Sequence, residues 1–151
     1  MPEAVIIRSA TAADIEGLVD LLEDLFSIEE DFDVDRDNQR RGLEMMLNNG
    51  RGCILAAQAA DGTVVGMCSG QLTISTAEGG PAVLIEDVVV REDRRGQGIG
   101  ARLLEDLARW AADNEAGRLQ LLADSGNGPA LGFYEHLGFE RTRLICLRNR
   151  L

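Results

Sequence analysis

The chain has 151 residues and carries 26 Asp+Glu against 15 basic side chains, a net charge of −11. All 15 basic residues are Arg and the only His is His136. This removes Schiff-base and pyridoxal chemistry and the Lys-bearing phosphate loop, and leaves Ser-His-Asp or Cys-His catalysis and a multi-His zinc site little to build on.

The acidic balance also argues against nonspecific duplex binding, which needs cations to neutralise phosphates. Apolar residues make up 45% of the chain, enough for one domain over residues 1–151 that folds without a disulfide or metal. Cys53, Cys68 and Cys146 are an odd number at wide spacing, each among apolar neighbours. They read as reduced core thiols in a cytoplasmic protein. No apolar run reaches the ~18 residues of a membrane span. The opening MPEAVIIRSA has neither a basic n-region nor a long apolar core, so no signal peptide is expected.

Val5–Ile7 predicts a short strand. Thr11 to Asp14 fits a capping box, followed by Ile15, Leu18, Val19, Leu22, Leu25 and Phe26 on one helical face. The acidic, aperiodic stretch Glu29 to Asp37 reads as a loop. A second helix is expected over Asn38–Leu47, ending at Asn48-Asn49-Gly50. The period then changes: Cys53–Ala59 and Val64–Ile74 form a hairpin around Asp61-Gly62. Val83–Val90 follows as a buried central strand. A helix with Leu103, Leu104, Leu107 and Ala111 inward comes next, then a strand over Leu119–Ala123. A short helix to about His136 and a last strand over Phe139–Leu147 complete the order β-α-α-β-β-β-α-β-α-β.

The sharpest feature is Arg94-Arg95-Gly96-Gln97-Gly98-Ile99-Gly100, between the buried strand and the amphipathic helix. Glycines let successive N–H groups point into one hollow, and a helix N-terminus adds unpaired donors with about half a positive charge. Together they suit a diphosphate, as do the flanking Arg91, Arg94 and Arg95. A ligand-free turn is the plain alternative. Gly96-x-Gly98-x-x-Ala101, with Asp124 at a following strand end, also matches the dinucleotide fingerprint. Against that, residues 91–95 separate strand from glycine, and residues 125–151 are too few to complete a doubly wound sheet.

Val88-Val89-Val90 followed by Arg95-Gly96-Gln97-Gly98-Ile99-Gly100 resembles the acetyl-CoA signature of the GNAT N-acetyltransferase superfamily. Arg95, Gly98 and Gly100 fall on its fixed positions. Asn127-Gly128-Pro129-Ala130-Leu131-Gly132-Phe133-Tyr134, ending in Gly138-Phe139, is similar to a second element of that family. The resemblance implies an α/β fold with a mixed, mostly antiparallel sheet of about six to seven strands flanked by about four helices. It implies direct acetyl transfer from acetyl-CoA to a primary amine in one ternary complex.

By that resemblance Val88, Val89 and Val90 border the pantetheine arm, with a backbone N–H near Val88 facing the thioester oxygen. Residues Arg95, Gly96, Gln97, Gly98, Ile99, Gly100 and Ala101 hold the diphosphate, and Asn127 contacts the CoA arm. Tyr134, the only Tyr, is the acid for the departing thiolate, though a core aromatic is the plain reading of Phe133-Tyr134. The base is Glu86 or Asp87. Strand alternation puts Glu86 with Val88 and Val90 and favours Glu86, unless a bulge swaps the faces. His136 reads as a surface residue, and the cysteines lack a basic neighbour that would make a thiolate. No metal is expected.

Residues 1–50 hold 13 acids and 4 Arg, which reads as a solvated helix surface or as a face for a cationic ligand. Glu29, Glu30, Asp31, Asp33 and Asp35 lie where the family places its acceptor, which favours a polyamine, an aminoglycoside or a basic peptide end. A non-catalytic acyl-CoA-binding module on the same fold is the competing reading. Nucleic acid and membrane partners are not expected. Homodimers are common in the family, and no pattern here fixes the oligomeric state.

Overall fold

β1 (Ile6–Ser9) is the outer strand of a five-stranded sheet with the order β1-β2-β3-β4-β5. The computed structural model describes residues 4–28 and 33–151. β2 (Gly52–Gln58), β3 (Val64–Ser75) and β4 (Gly80–Val90) pair antiparallel in sequence. β5 (Leu119–Leu121) closes the far edge. Leading into it, Gly117 N–H donates to Pro81 and Val83 N–H to Arg118, at 2.9 and 3.0 Å. These bonds climb both segments in the same sense, as a parallel pair does, so the sheet is mixed.

Helices cover both faces. α1 (Ile15–Ile28) buries Leu18, Val19, Leu21 and Leu22, which cluster with Leu43, Ile54, Met67 and Val89. Leu43 lies on α2 (Arg36–Leu47), which starts two residues earlier than the spacing predicts because Asp35 caps it, accepting from Asn38 N–H at 3.0 Å. α3 (Ile99–Asp113) lies opposite: Cys68, the residue after Met67, reaches the Leu103 carbonyl at 3.6 Å. Neighbouring strand residues face opposite sides, so Met67 marks the α1 side and Cys68 the α3 side. Gly70 shares the face of Cys68, and a Cβ there would stand 2.9 Å from Val83 and 3.2 Å from Leu107. Only a glycine lets α3 sit this close. Each fully buried Leu or Val in these layers contributes about 1.5–3 kcal/mol.

The expected start of α1 forms through a single 3-10 turn, Ala12–Asp14. The Asp14 carboxylate accepts from Thr11 N–H at 2.8 Å and from the two terminal Arg8 guanidinium nitrogens at 2.7 and 2.8 Å. At the β2–β3 hairpin Gly62 takes φ +91°, and Asp61 accepts from Thr63 N–H at 2.9 Å.

The chain clusters into two units, Met1–Gln120 and Leu121–Leu151. The second unit contains α4 (Gly128–His136). Asn127 caps it, accepting from Ala130 N–H at 3.1 Å, and Gly138 ends it at φ +97°. His136 is exposed, as expected. The last predicted strand does not form. Among the described residues the sheet has five strands rather than six to seven, and 139–151 take no regular structure. Leu144, Ile145 and Leu147 are exposed. An apolar segment becomes a strand only when a neighbouring edge takes its hydrogen bonds, and no ladder includes this one.

Candidate active site

The pairing of β3 with β4 slips once. Cys68 opposes Val88, yet Gly70 opposes Ile85, so Glu86 and Asp87 together face Ser69. This is a β-bulge. Its effect is visible in the core: Val83 faces α3 beside Leu107, whereas Val89 belongs to the α1 cluster. Six residues apart on a regular strand they would share a face. The alternation expected from sequence, with Glu86 on the face of Val88, is therefore broken at the bulge.

Both carboxylates line one cavity of about 360 Å³ between the α1–α2 layer and the sheet. Ser69, only 2% exposed, donates to Asp87 Oδ2 at 3.0 Å. Glu86 is exposed at the cavity wall. The apolar wall comes from Leu22, Phe26, Leu43, Met46 and Ile54. Asp33 and Asp35 also line it, and no Arg does among the described residues. Glu29, Glu30 and Asp31, expected beside the acceptor, lie outside the described residues. Much of the remaining acidic excess is paired: Arg36 bridges Asp20 and Glu23, and Arg40 bridges Glu16 and Asp37.

The backbone of β4 beyond the bulge is aimed. Arg91 N–H donates to the Val65 carbonyl at 2.8 Å, across the Gly66–Val90 pair. That bond makes Val90, and by alternation Val88, non-hydrogen-bonded positions of the β3 ladder. Their N–H and C=O groups thus point to the opposite edge of β4. Val89 packs inward, 5% exposed.

The glycine loop follows a 3-10 turn, Glu92–Arg94. Gly96 and Gly98 both take left-handed φ, +76° and +80°, and a Cβ on either meets nothing within 4 Å. Gly98 is the N-cap of α3, Ile99 is buried behind it, and Gly100 and Ala101 form its first turn. Left-handed residues before a helix start turn consecutive N–H groups to one side, a concavity that fits a diphosphate. The arginines are partly committed: Arg91 pairs with Asp93 at 2.6 Å, and Arg95 Nε donates to the Val90 carbonyl at 2.9 Å. Arg94 Nε lies 3.4 Å from Gln97 Oε1.

In the second unit Tyr134 is half-buried, its ring edge-on to Phe133 and Phe139 with centroids 5.2 and 5.6 Å apart. Asn127 spends its side-chain oxygen on the α4 cap. Burial pushes the Cys53 thiol up to about 11 and raises Cys68 further, so neither forms a thiolate nucleophile. Cys146, expected in a core, is exposed. Among the described residues no cluster could hold a metal ion, and no helix is long and apolar enough to cross a membrane.

Sequence reasoning missed Ser69 and Gln39. Ser69 needs the bulge to acquire its partner. Gln39 had a signal: it is the polar member of an inward α2 stripe with Leu43 and Met46.

The acetyltransferase (GNAT) family profile matches residues 15–139. The chain belongs to that family. It is 30% identical over 138 residues to the L-methionine sulfoximine/L-methionine sulfone acetyltransferase of Pseudomonas paraeruginosa, covering 89% of this chain and 79% of the relative. This acetyltransferase also superposes on a structure described as a transcriptional regulator from Bacillus halodurans, with TM-score 0.84, 27% identity and coverage of 98% and 100%. An aminoglycoside N-acetyltransferase solved with CoA shares the fold at TM-score 0.85 and 21% identity, covering 100% of this chain and 98% of that one. The family match makes the chain an enzyme that transfers acetyl groups to amines.

Proposed function

We propose that this acetyltransferase takes acetyl-CoA as donor and a cationic primary amine without a carboxylate as acceptor, both bound at once. The observation that carries the acceptor class is the cavity at the β4 bulge, lined by Asp33, Asp35, Glu86 and Asp87 and by no Arg among the described residues. Such a wall attracts ammonium groups and repels anions. The Pseudomonas relative, named for small amine-bearing molecules, supports a small acceptor.

Acetyl-CoA supplies an activated acetyl thioester. The diphosphate fits the N–H groups of Gly96 to Ala101, where the left-handed glycines leave open space, and Arg95 and Asn127 border the CoA arm. Val88 and Val90 offer backbone groups to the pantetheine amides. Glu86, on the cavity side of the bulge, takes the proton of the substrate ammonium, directly or through water, so that the amine nitrogen regains its lone pair. Asp87, oriented by Ser69, holds the ammonium before that transfer. Val88 N–H stabilises the carbonyl oxygen as the N–C bond forms and negative charge builds there. When the C–S bond breaks, Tyr134 gives its phenolic proton to the thiolate, and the second proton that the nitrogen loses as the amide forms restores the phenol. A phenol of pKa about 10 donating to a thiolate of pKa about 8.5 is a short step in proton affinity.

The test is a panel read by thiol release: spermidine, an aminoglycoside, a C-terminally amidated peptide with an amino-terminal Arg, L-methionine sulfone and glucosamine 6-phosphate. The cations are expected to be acetylated at least ~10-fold faster in kcat/KM. Equal rates for the zwitterion or the phosphate would overturn the acceptor class. Binding of CoA with no turnover on any amine would favour the non-catalytic module.

A further inference from the structure

Gln39 is the one buried polar side chain of α2 among the described residues. It is 8% exposed, it lines the cavity at the β4 bulge beside the exposed Asn38, and neither its Nε2 nor its Oε1 has a hydrogen-bond partner among the described residues. A buried amide without partners is costly, and native structures keep few of them. An apolar residue of the same length would fill the position without that cost, as Leu43 and Met46 do on the same face. The carboxylates of this cavity account for recognition of a cation. They do not account for a neutral amide, which reads neutral groups that both donate and accept.

We infer that Gln39 is a specificity residue, and that the acceptor carries a carboxamide or peptide amide on an apolar stem, separated from the reacting amine. The inference rests on the proposed acceptor reading and deepens it. The ammonium lies against Glu86 and Asp87, the stem runs along Phe26 and Leu43, and the amide exchanges two hydrogen bonds with Gln39. Of the three cationic classes, an amide-bearing peptide-like amine matches this set. A simple polyamine has no neutral group to offer.

The experiment compares two acceptors of equal charge and similar shape, 5-aminopentanamide and 5-methylhexylamine, with the wild-type enzyme and the Gln39→Leu and Gln39→Met variants. Wild type is expected to prefer the amide by about tenfold or more in kcat/KM, since a site built to hydrogen-bond a group rejects the analogue that lacks it. Both variants should bring the ratio to about 1 or below, mainly through KM. A merely structural Gln39 would lower both rates alike and leave the ratio unchanged, which would overturn the inference. Gln39→Met, close in length to the amide, guards against a variant that fails to fold. Binding of both amines to the CoA-loaded enzyme, read as a melting shift, separates the two proposals. An amide preference in binding that Gln39→Met abolishes, without turnover, would sustain the role of Gln39 while the catalytic reading failed. Turnover or binding with no amide preference in wild type would overturn the role of Gln39 alone.

Discussion

Ser69 and Asp87 meet at 3.0 Å only because β4 has one residue more than β3 at that point. The extra residue turns two consecutive carboxylates toward one cavity, and beyond it the N–H groups of Val88 and Val90 point away from β3. The proposed base and oxyanion donor thus come from three consecutive residues, Glu86 to Val88, whose backbone spacing is set by the ladder.

Glu86→Gln should lower kcat by about 10²-fold, the usual scale for loss of a general base. Ser69→Ala should act more mildly, raising KM for the amine several-fold as Asp87 loses its orienting donor. A Glu86→Gln enzyme with wild-type kcat would move the base to Asp87 or to water.

Tyr134→Phe keeps the ring contacts with Phe133 and Phe139 and removes only the hydroxyl. A kcat at least ~10-fold lower is expected, with little change in KM for acetyl-CoA. The defect should shrink with a donor whose thiol leaving group is more acidic. An unchanged kcat removes Tyr134 from the mechanism.

Gly98→Ala tests the diphosphate loop. The left-handed φ of +80° makes a Cβ cost about 1–2 kcal/mol, while the space around it is open. A melting temperature only a few degrees lower is expected, together with a CoA dissociation constant raised about tenfold or more, measured by calorimetry. An unaltered CoA affinity would detach the loop from the donor.

Asp14 ties the start of α1 to β1. The bidentate bond from Arg8 holds its carboxyl below the usual carboxylate range, with help from Thr11. A depressed folded-state pKa contributes stability above the unfolded value of about 3.9 and loses it as pH falls through the lower folded value. Asp14→Asn should therefore cost about 1–3 kcal/mol near neutrality. Melts of the two proteins should converge as the pH is lowered well below 4. A gap that persisted undiminished there would rule out the ionised pair as its source.

Local rules were enough for the ends of elements. Thr11–Asp14, Asp61-Gly62 and Gly96–Gly98 each announce a turn or cap through residues within three or four positions of one another, and each forms. The apolar stripe of α1 and that of α3 were legible for the same reason. The bulge was not. It is a mismatch between two strands, and each strand alone shows only a run of residues of plausible type. The final segment failed as a strand for a related reason, since its apolar residues say nothing about whether an edge is there to pair with.

The sequence by itself determined the element order over most of the chain, the family, and the glycine loop at a helix start, because these depend on neighbours in the chain and on backbone freedom. The tertiary structure alone decided that Glu86 and Asp87 share one cavity with Ser69, that Gln39 stands in it without a partner among the described residues, and that Val88 turns its backbone away from β3. Those facts come from register and packing between segments distant in sequence, where a single added residue reverses which face a side chain takes.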